Sequence, residues 1–141
     1  MNKTALFIGS IISGIIAIVH IIAIFIGAAA YRYLDAPELA VMAENGSWVP
    51  AILTCIVTLF FVLFSAYALS EIGLIRPLPF RKKVIPAIGL IYTLRGLGII
   101  WFIYLVVIDS EHAIPREIGF SLVSLIAGLC YLYPSMIKKK P

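Results

Sequence analysis

The chain has 141 residues, of which 62% are hydrophobic and 13% are charged, and its mean hydropathy is +1.09. A soluble domain of this size cannot bury so much apolar surface, so the composition excludes a soluble globular protein and indicates an integral membrane protein. The net charge of +4 does not indicate a nucleic-acid partner, because most lysines and arginines adjoin hydrophobic segments, where they contact anionic headgroups.

The first hydrophobic segment runs from about Thr4 to Ala30 and exceeds the roughly 20 residues that a helix needs to cross a membrane. Its end carries an Ala-x-Ala pattern at Ala28 to Ala30, which is also typical of a signal-peptide cleavage site. The apolar run is much longer than the roughly 7 to 15 residues of a signal peptide's hydrophobic region. We therefore expect an uncleaved span.

His20 is the only histidine inside a predicted span. A histidine there can ligate haem, carry a proton or contact a quinone, or it can simply hydrogen-bond to a neighbouring helix. Haem would need a second axial ligand within the membrane, which the sequence lacks, so we predict no cofactor. The two cysteines, Cys55 and Cys130, are isolated within spans and are expected to be small buried hydrophobic residues that hold no metal.

The connection after the first span, "YRYLDAPELAVMAENGS", contains the signals of a short helix. Asp35 can cap its N-terminus, Pro37 suits its first turn, and Gly46 can end it. We predict a short amphipathic helix that lies against the outer membrane surface. The residues expected to face the membrane or its interface are Leu39, Met42 and Trp48.

Three further segments are long and apolar enough to span a membrane. They run from about Trp48 to Ile75, from Val84 to Ile108, and from Glu117 to Ile137. The connections between them, "RPLPFRKK" and "DSEHAIPRE", leave no room for a separate soluble domain. We predict an all-α, single-domain, four-helix transmembrane bundle with antiparallel up-down topology and the short amphipathic helix in its first outer loop.

Basic residues gather before the first span, in the middle connection and at the end of the chain. These residues are Lys3, Arg76, Arg81, Lys82, Lys83 and Lys138 to Lys140. The other two connections are mainly acidic, which suits the outer side. Because basic loops are retained in the cytoplasm, we predict that both termini are cytoplasmic.

Small residues recur three or four positions apart within the spans, a spacing that lets membrane helices approach closely. The stripes are Ser10 and Gly14, then Gly89, Thr93 and Gly96, and finally Ser124 and Gly128. We interpret them as packing surfaces between helices.

Arg95 lies about 11 residues into the third span, hence roughly 17 Å from its start and near the middle of a core about 30 Å thick. A guanidinium keeps its charge there and must be paired or solvated. The tight middle connection makes the second and third spans antiparallel neighbours, so we predict an ion pair between Arg95 and Glu71. Tyr67 and Tyr92, one turn from each, are expected to hydrogen-bond to it. The cluster is either a clamp that fixes helix register or a ligand or proton site.

Three blocks of the sequence, "GSWVP", "YALSEIGLIRPLPF" and "IYTLRGL", are similar to blocks that recur in a family of small bacterial four-span inner-membrane proteins. The chain resembles that family over its second and third spans. The resemblance implies the fold and a location in the inner membrane, and it implies no activity. Glu71 departs from the family pattern, in which a small residue often follows Tyr-Ala-Leu-Ser.

Three classes of function fit these features. The first is a non-catalytic module, either an accessory subunit or a binder of a lipid or small hydrophobic ligand. The second is a small oligomeric transporter or proton-coupled carrier of an anionic or lipid-like substrate, held by Arg95 and enclosed by a dimer. The third is a membrane enzyme acting on a lipid or quinone. No nucleophile-and-base pattern is recognisable, so we favour the first class and predict no catalytic residues.

The expected partners are the lipid bilayer, a lipid or small hydrophobic ligand, and a second copy of the chain or another membrane protein. An unpaired Arg95 in a water-filled cavity would favour the carrier, whereas a fully bonded Arg95 would favour the module. A pocket that joins His20, Glu44 and Asp35 would favour the enzyme.

Overall fold

The computed structural model describes residues 3–108 and 115–137, and these residues form helices without any strand. The helices in chain order are α1 (Lys3–Ile26), α2 (Ala28–Tyr33), α3 (Pro37–Glu44), α4 (Val49–Ile72), α5 (Arg81–Ile108) and α6 (Pro115–Ile137). Helices α1, α4, α5 and α6 are each long and apolar enough to cross a membrane, so the four predicted long apolar helices are confirmed. The second acidic connection, residues 109–114, and the terminal lysines, Lys138 to Lys140, lie outside the described residues.

The first two long helices end earlier than the sequence predicted, and a glycine with positive φ follows each of them. Gly27 has φ 76°, and α1 stops before it, so the segment that was expected to reach Ala30 is divided into α1 and the separate helix α2. Helix α4 ends at Ile72, three residues before the predicted end at Ile75, and Gly73, with φ 86°, follows it. Side chains other than glycine rarely adopt this conformation, which is why glycine marks both ends.

The predicted short helix in the first connection is confirmed as α3. Pro37 occupies its first position, and Gly46, with φ 74°, follows its C-terminal cap. The N–H of Ser47 donates to the Met42 carbonyl at 3.0 Å, which completes the glycine-ended cap. The prediction that Asp35 caps α3 is wrong, because the helix begins one residue later and Asp35 lies in the turn before it, with φ 59°.

One face of α3 is covered by the chain. Ala40 is buried, with 1% of its surface exposed, and Leu39 and Met42 are half-buried. Trp48 is 80% exposed. The side chains of Leu39 and Met42 are therefore partly covered by the chain itself, and their predicted contact with a membrane surface stays a prediction.

Residues 13–63 form one compact unit, which contains the second half of α1, all of α2 and α3, and the first half of α4. Its buried polar contact links α2 to α4, where the Thr54 hydroxyl bonds the Tyr31 hydroxyl at 3.2 Å and the Pro50 carbonyl at 2.7 Å. An exposed ion pair between Arg32 and Glu44 joins α2 to α3. These contacts link α2 to both α3 and α4.

The other unit combines the start of α1, the end of α4, and helices α5 and α6. Tyr131 of α6 is fully buried in it, and its hydroxyl donates to the Phe64 carbonyl of α4 at 2.9 Å. The Tyr131 ring stacks on Tyr92 of α5, with 5.8 Å between ring centroids. Gly9 of α1 leaves room for the same ring, since a Cβ there would lie 2.8 Å from it. Four helices thus contribute to one aromatic core.

Helices α5 and α6 pack with their backbones in close contact. A Cβ added to Gly96 would lie 2.6 Å from the backbone nitrogen of Leu125, and one added to Gly128 would lie 2.8 Å from the backbone nitrogen of Thr93. A Cβ at Gly89 would meet the Leu132 side chain at 2.7 Å. The predicted packing role of these small residues is confirmed.

Most of the outward surface of the long helices is apolar. Only 17% to 33% of the residues in their hydrophobic windows are buried within the chain. The prediction that both cysteines are buried is wrong, since Cys55 is exposed and Cys130 is half-buried. In a helix that is apolar on all sides, hydrophobicity does not identify the inner face.

Candidate functional site

Arg95 of α5 bonds to two side chains of α6. Its Nη2 lies 3.3 Å from Oε2 of Glu117, with which it forms an ion pair, and its Nη1 donates to the Ser121 hydroxyl at 3.3 Å. Glu117 and Ser121 are four residues apart and so share one face of α6. We call Arg95, Glu117 and Ser121 the α5–α6 polar cluster.

Burial within the cluster is unequal. The Glu117 side chain is 4% exposed and Ser121 is fully buried, whereas the Arg95 side chain is 49% exposed. Burying a carboxylate is costly unless it is paired, and Arg95 supplies the countercharge. A guanidinium has five N–H donors, and within the described residues the hydrogen bonds to Glu117 and Ser121 use two of them. The accessible part of Arg95 therefore retains donor capacity.

The second carboxylate oxygen of Glu117 is buried and has no hydrogen-bond partner among residues 3–108 and 115–137. An unsatisfied oxygen on a buried charge costs about 1–3 kcal/mol or more. A proton on this oxygen, or a donor brought by a ligand or water, would remove that cost. Glu117 is thus a second polar group in the cluster whose bonding is incomplete.

The contact between α5 and α6 determines how far along α6 the Arg95 guanidinium lies. Gly96 lies against Leu125, yet Arg95 reaches Ser121 and Glu117, which are one and two turns nearer the start of α6. The Arg95 side chain therefore extends toward the C-terminal end of α5. Its partners lie about 3 to 9 Å along α6 from Pro115, at a rise of 1.5 Å per residue. The charge lies near an end of α6, although the Arg95 backbone is in the middle of α5.

The predicted ion pair between Arg95 and Glu71 is wrong. Glu71, one residue before the end of α4, pairs with Arg81, the first residue of α5, with 3.1 Å between Oε2 and Nε. Arg95 lies about 21 Å farther along α5 than Arg81, at 1.5 Å per residue. The prediction assumed that Arg95 leans toward the start of its own helix, as most helical side chains do. It extends the other way, and Arg81 is already beside Glu71.

The two tyrosines predicted to join the pair lie elsewhere. Tyr92 is 3% exposed and belongs to the aromatic core, with its ring stacked on Tyr131 and edge-on to Phe64 at 5.7 Å. The prediction that Tyr92 bonds to Arg95 is therefore wrong, since the hydrogen bonds of Arg95 go to α6. Tyr67 is half-buried on α4, one turn before Glu71, and its role stays a prediction.

His20 lies in the unit formed by residues 13–63. Its Nδ1 is 2.8 Å from the carbonyl of Ile16 in the same helix, and its ring lies 5.2 Å from the ring of Phe61. Because a carbonyl only accepts, this contact is a hydrogen bond in the tautomer that carries a proton on Nδ1. Within the part of the chain that the structure describes, the side chain of His20 bonds to a carbonyl of its own helix and not to a neighbouring helix, which was one of the alternatives for this residue.

The same unit has an apolar groove of about 260 Å³ at the junction of α1 and α2. The residues that line it are Val19, Ile22, Ala23, Ile26, Ala29, Ala30, Tyr33 and Leu34. His20, Asp35 and Glu44 do not line it. This groove is therefore not the polar pocket that would favour an enzyme.

Ser70 organises the connection between α4 and α5. Its buried hydroxyl accepts from the N–H of Leu78 at 2.7 Å and donates to the Arg76 carbonyl at 3.0 Å. Its backbone carbonyl accepts from Nη1 of Arg81 at 3.3 Å. Together with the ion pair between Glu71 and Arg81, these bonds hold the connection to the end of α4.

Sequence reasoning missed Glu117, Ser121 and Ser70. Glu117 stands at the boundary between the second acidic connection and the predicted fourth span, and it was counted with the connection. Its spacing of four residues from Ser121 nevertheless places both side chains on one helix face. Ser70 was visible only as part of the Tyr-Ala-Leu-Ser block. No spacing rule marks a serine that bonds a connection six to eight residues later.

The chain matches no family model, no curated protein and no solved structure. Its function is therefore inferred from the geometry and chemistry of its own residues.

Proposed function

We propose that the protein is a small integral membrane protein, folded as a four-helix transmembrane bundle, that works by binding and not by catalysis. The α5–α6 polar cluster is its binding site, and Arg95 holds the acidic group of a lipid or of another small membrane-soluble ligand. One observation carries this proposal: the Arg95 side chain is 49% exposed on a helix apolar enough to cross a membrane, while its partner Glu117 is buried.

This asymmetry favours binding over a purely structural clamp. A buried ion pair repays the cost of its desolvation only when its geometry is good and further hydrogen bonds satisfy the remaining donors and acceptors. Here Glu117 and Ser121 hold two guanidinium nitrogens in place while part of Arg95 stays accessible. A guanidinium fixed in this way loses little conformational freedom when it binds a carboxylate or phosphate, to which it presents two parallel donors.

The apolar outward surface supports the membrane setting, because lipid tails would cover side chains that water would not tolerate. The basic connection between α4 and α5 supports an orientation with both termini in the cytoplasm of a bacterial cell and the start of α6 on the outer side of the inner membrane. In that orientation the cluster receives its ligand from the outer leaflet, because the guanidinium lies near the start of α6.

The buried, unbonded oxygen of Glu117 favours a second candidate, a proton-coupled carrier. A proton taken up on this carboxyl would weaken the ion pair with Arg95 and release the guanidinium to a substrate. Four short helices would need a second copy of the chain to enclose a path.

The test for binding is native mass spectrometry of the purified protein with oleate, a membrane-soluble carboxylate, as the probe. We expect wild-type protein to retain oleate and Arg95→Gln to lose it by at least tenfold. Arg95→Lys should also lose it, because the charge remains but the paired donors do not. Arg32→Gln, which removes an exposed arginine of another ion pair, is the matched control and should bind as wild type does.

Equal retention by wild type and Arg95→Gln would contradict the proposal and leave the cluster as a clamp. The carrier is tested separately with protein reconstituted in liposomes that contain a pH-sensitive dye. Proton flux that Glu117→Gln abolishes would support it, and wild-type liposomes without flux would exclude it.

A further inference from the structure

The connection between α4 and α5 carries an excess of positive charge. Residues 70–83 include Arg76, Arg81, Lys82 and Lys83 against one carboxylate, Glu71, whose charge Arg81 neutralises. Among the residues that the structure describes, the other three cations form no ion pair. All three are exposed.

These cations are carried by a connection whose backbone is fixed. Ser70 bonds the backbone at Arg76 and at Leu78, and its carbonyl accepts from Arg81. One buried residue thus holds both the middle of the connection and the start of α5. The cations on either side of this anchor are therefore carried by a backbone that these hydrogen bonds constrain.

Apolar side chains accompany the cations. Phe80, immediately before Arg81, is 77% exposed, and Leu74 is 63% exposed. Phe80 adopts φ 56°, a conformation that is uncommon for a bulky residue and that the surrounding bonds must maintain. Its carbonyl accepts from the N–H groups of Lys83 and Val84, so the first turn of α5 starts immediately after Phe80.

Charge and apolar contact together identify the partner. We propose that the connection, through Arg76, Lys82, Lys83 and Phe80, is a preorganised site for the phosphate of an anionic phospholipid, with the Phe80 ring among the upper parts of the lipid chains. Lysine and arginine beside a membrane attract anionic headgroups, and exposed aromatic and aliphatic side chains enter the boundary between headgroup and chain. This site lies at the start of α5 and is separate from the α5–α6 polar cluster.

A fixed site and diffuse attraction make different predictions. Diffuse attraction depends on the number of charges and on the salt concentration, and the shape of the connection does not matter to it. A fixed site binds a set number of lipids and weakens when the connection is loosened without any change in charge. Ser70→Ala is such a change, because it removes two hydrogen bonds and no cation.

The experiment is native mass spectrometry with phosphatidylglycerol and phosphatidylcholine of equal chain length. It uses the full chain with Arg95→Gln in every sample, so that only the connection responds and the result is independent of the binding proposed for the polar cluster. We expect at least a tenfold preference for phosphatidylglycerol at a fixed stoichiometry. Lys82→Gln with Lys83→Gln should abolish it, and Lys3→Gln, which removes an exposed lysine from α1, should leave it unchanged.

Ser70→Ala should reduce the preference by at least threefold while all four cations remain. If Ser70→Ala does not fold, Pro77→Gly with Pro79→Gly loosens the same connection and should have the same effect. Binding that follows the number of cations alone, with loosened variants equal to their parent, would overturn the proposal. So would equal binding of the two lipids.

Discussion

Removing Glu117 should destabilise the protein because it leaves Arg95 without its countercharge. Breaking a fully buried ion pair costs about 3–5 kcal/mol. The Glu117 side chain is 4% exposed, but Arg95 is 49% exposed and can be solvated in part. We therefore expect about half of that range for Glu117→Leu, or about 2 kcal/mol. For a chain of this length that corresponds to a fall in Tm of roughly 6 to 8 °C.

Replacing both partners should cost much less. Arg95→Met with Glu117→Leu removes both charges and leaves apolar side chains of similar volume, a change that is often neutral for buried pairs. Glu71→Leu is the matched comparison. Its partner Arg81 is 36% exposed at the first position of α5, where it can turn toward solvent or headgroups, so we expect a cost of about 1 kcal/mol.

The measurement is thermal unfolding in detergent. The wild type, Arg95→Met, Glu117→Leu and the variant with both substitutions together form a double-mutant cycle. A double variant that melts above Glu117→Leu would show the coupling that the structure implies. The reasoning would be refuted if Glu117→Leu melted like the wild type, or if the effects of the two single variants simply added. Either result would mean that Arg95 is solvated by something other than Glu117.

Three other predictions concern packing, backbone conformation and topology. Gly96→Ala should destabilise by about 2 kcal/mol or more, because its Cβ would lie 2.6 Å from the Leu125 backbone, whereas Gly119→Ala meets nothing within 4 Å and should be neutral or slightly stabilising in thermal unfolding. Gly27→Ala should cost about 1–2 kcal/mol, because φ is 76° there and the surrounding space is open, so that strain alone acts. Reporter fusions after Gly46 and at the C-terminus should report opposite sides of the membrane, and matching reports would contradict the proposed topology.

The long helices could be predicted because their cause is distributed over many residues. About 20 apolar positions in succession determine that a segment is long and apolar enough to span a membrane, and no single side chain decides it. The ends of helices depend on single residues and were predicted less well. Gly46 followed a polar stretch and was recognised, whereas Gly27 stands in an apolar run, where a glycine is equally compatible with helix packing.

The candidate site was predicted only in part because its partners depend on the register between helices. The sequence identified Arg95 as the residue that needs a partner, which the structure confirms. It favoured Glu71, since the short connection brings α4 and α5 together, but it could not supply the direction in which a long side chain extends. The direction depends on the contact of Gly96 with Leu125, which places Glu117 and Ser121 within reach of Arg95.

The glycines at the contact between α5 and α6 and the polar cluster therefore form one structural arrangement. Gly96 and Gly128 carry no chemistry, yet they allow the backbone contact that fixes how far α6 slides along α5. A shift of one residue would move Ser121 and Glu117 by about 1.5 Å and turn them by about 100° around the axis of α6. Bonds of 3.3 Å do not survive such a change. The position of Arg95 thus depends on residues without side chains, which explains why a charge pattern alone leads to the wrong partner.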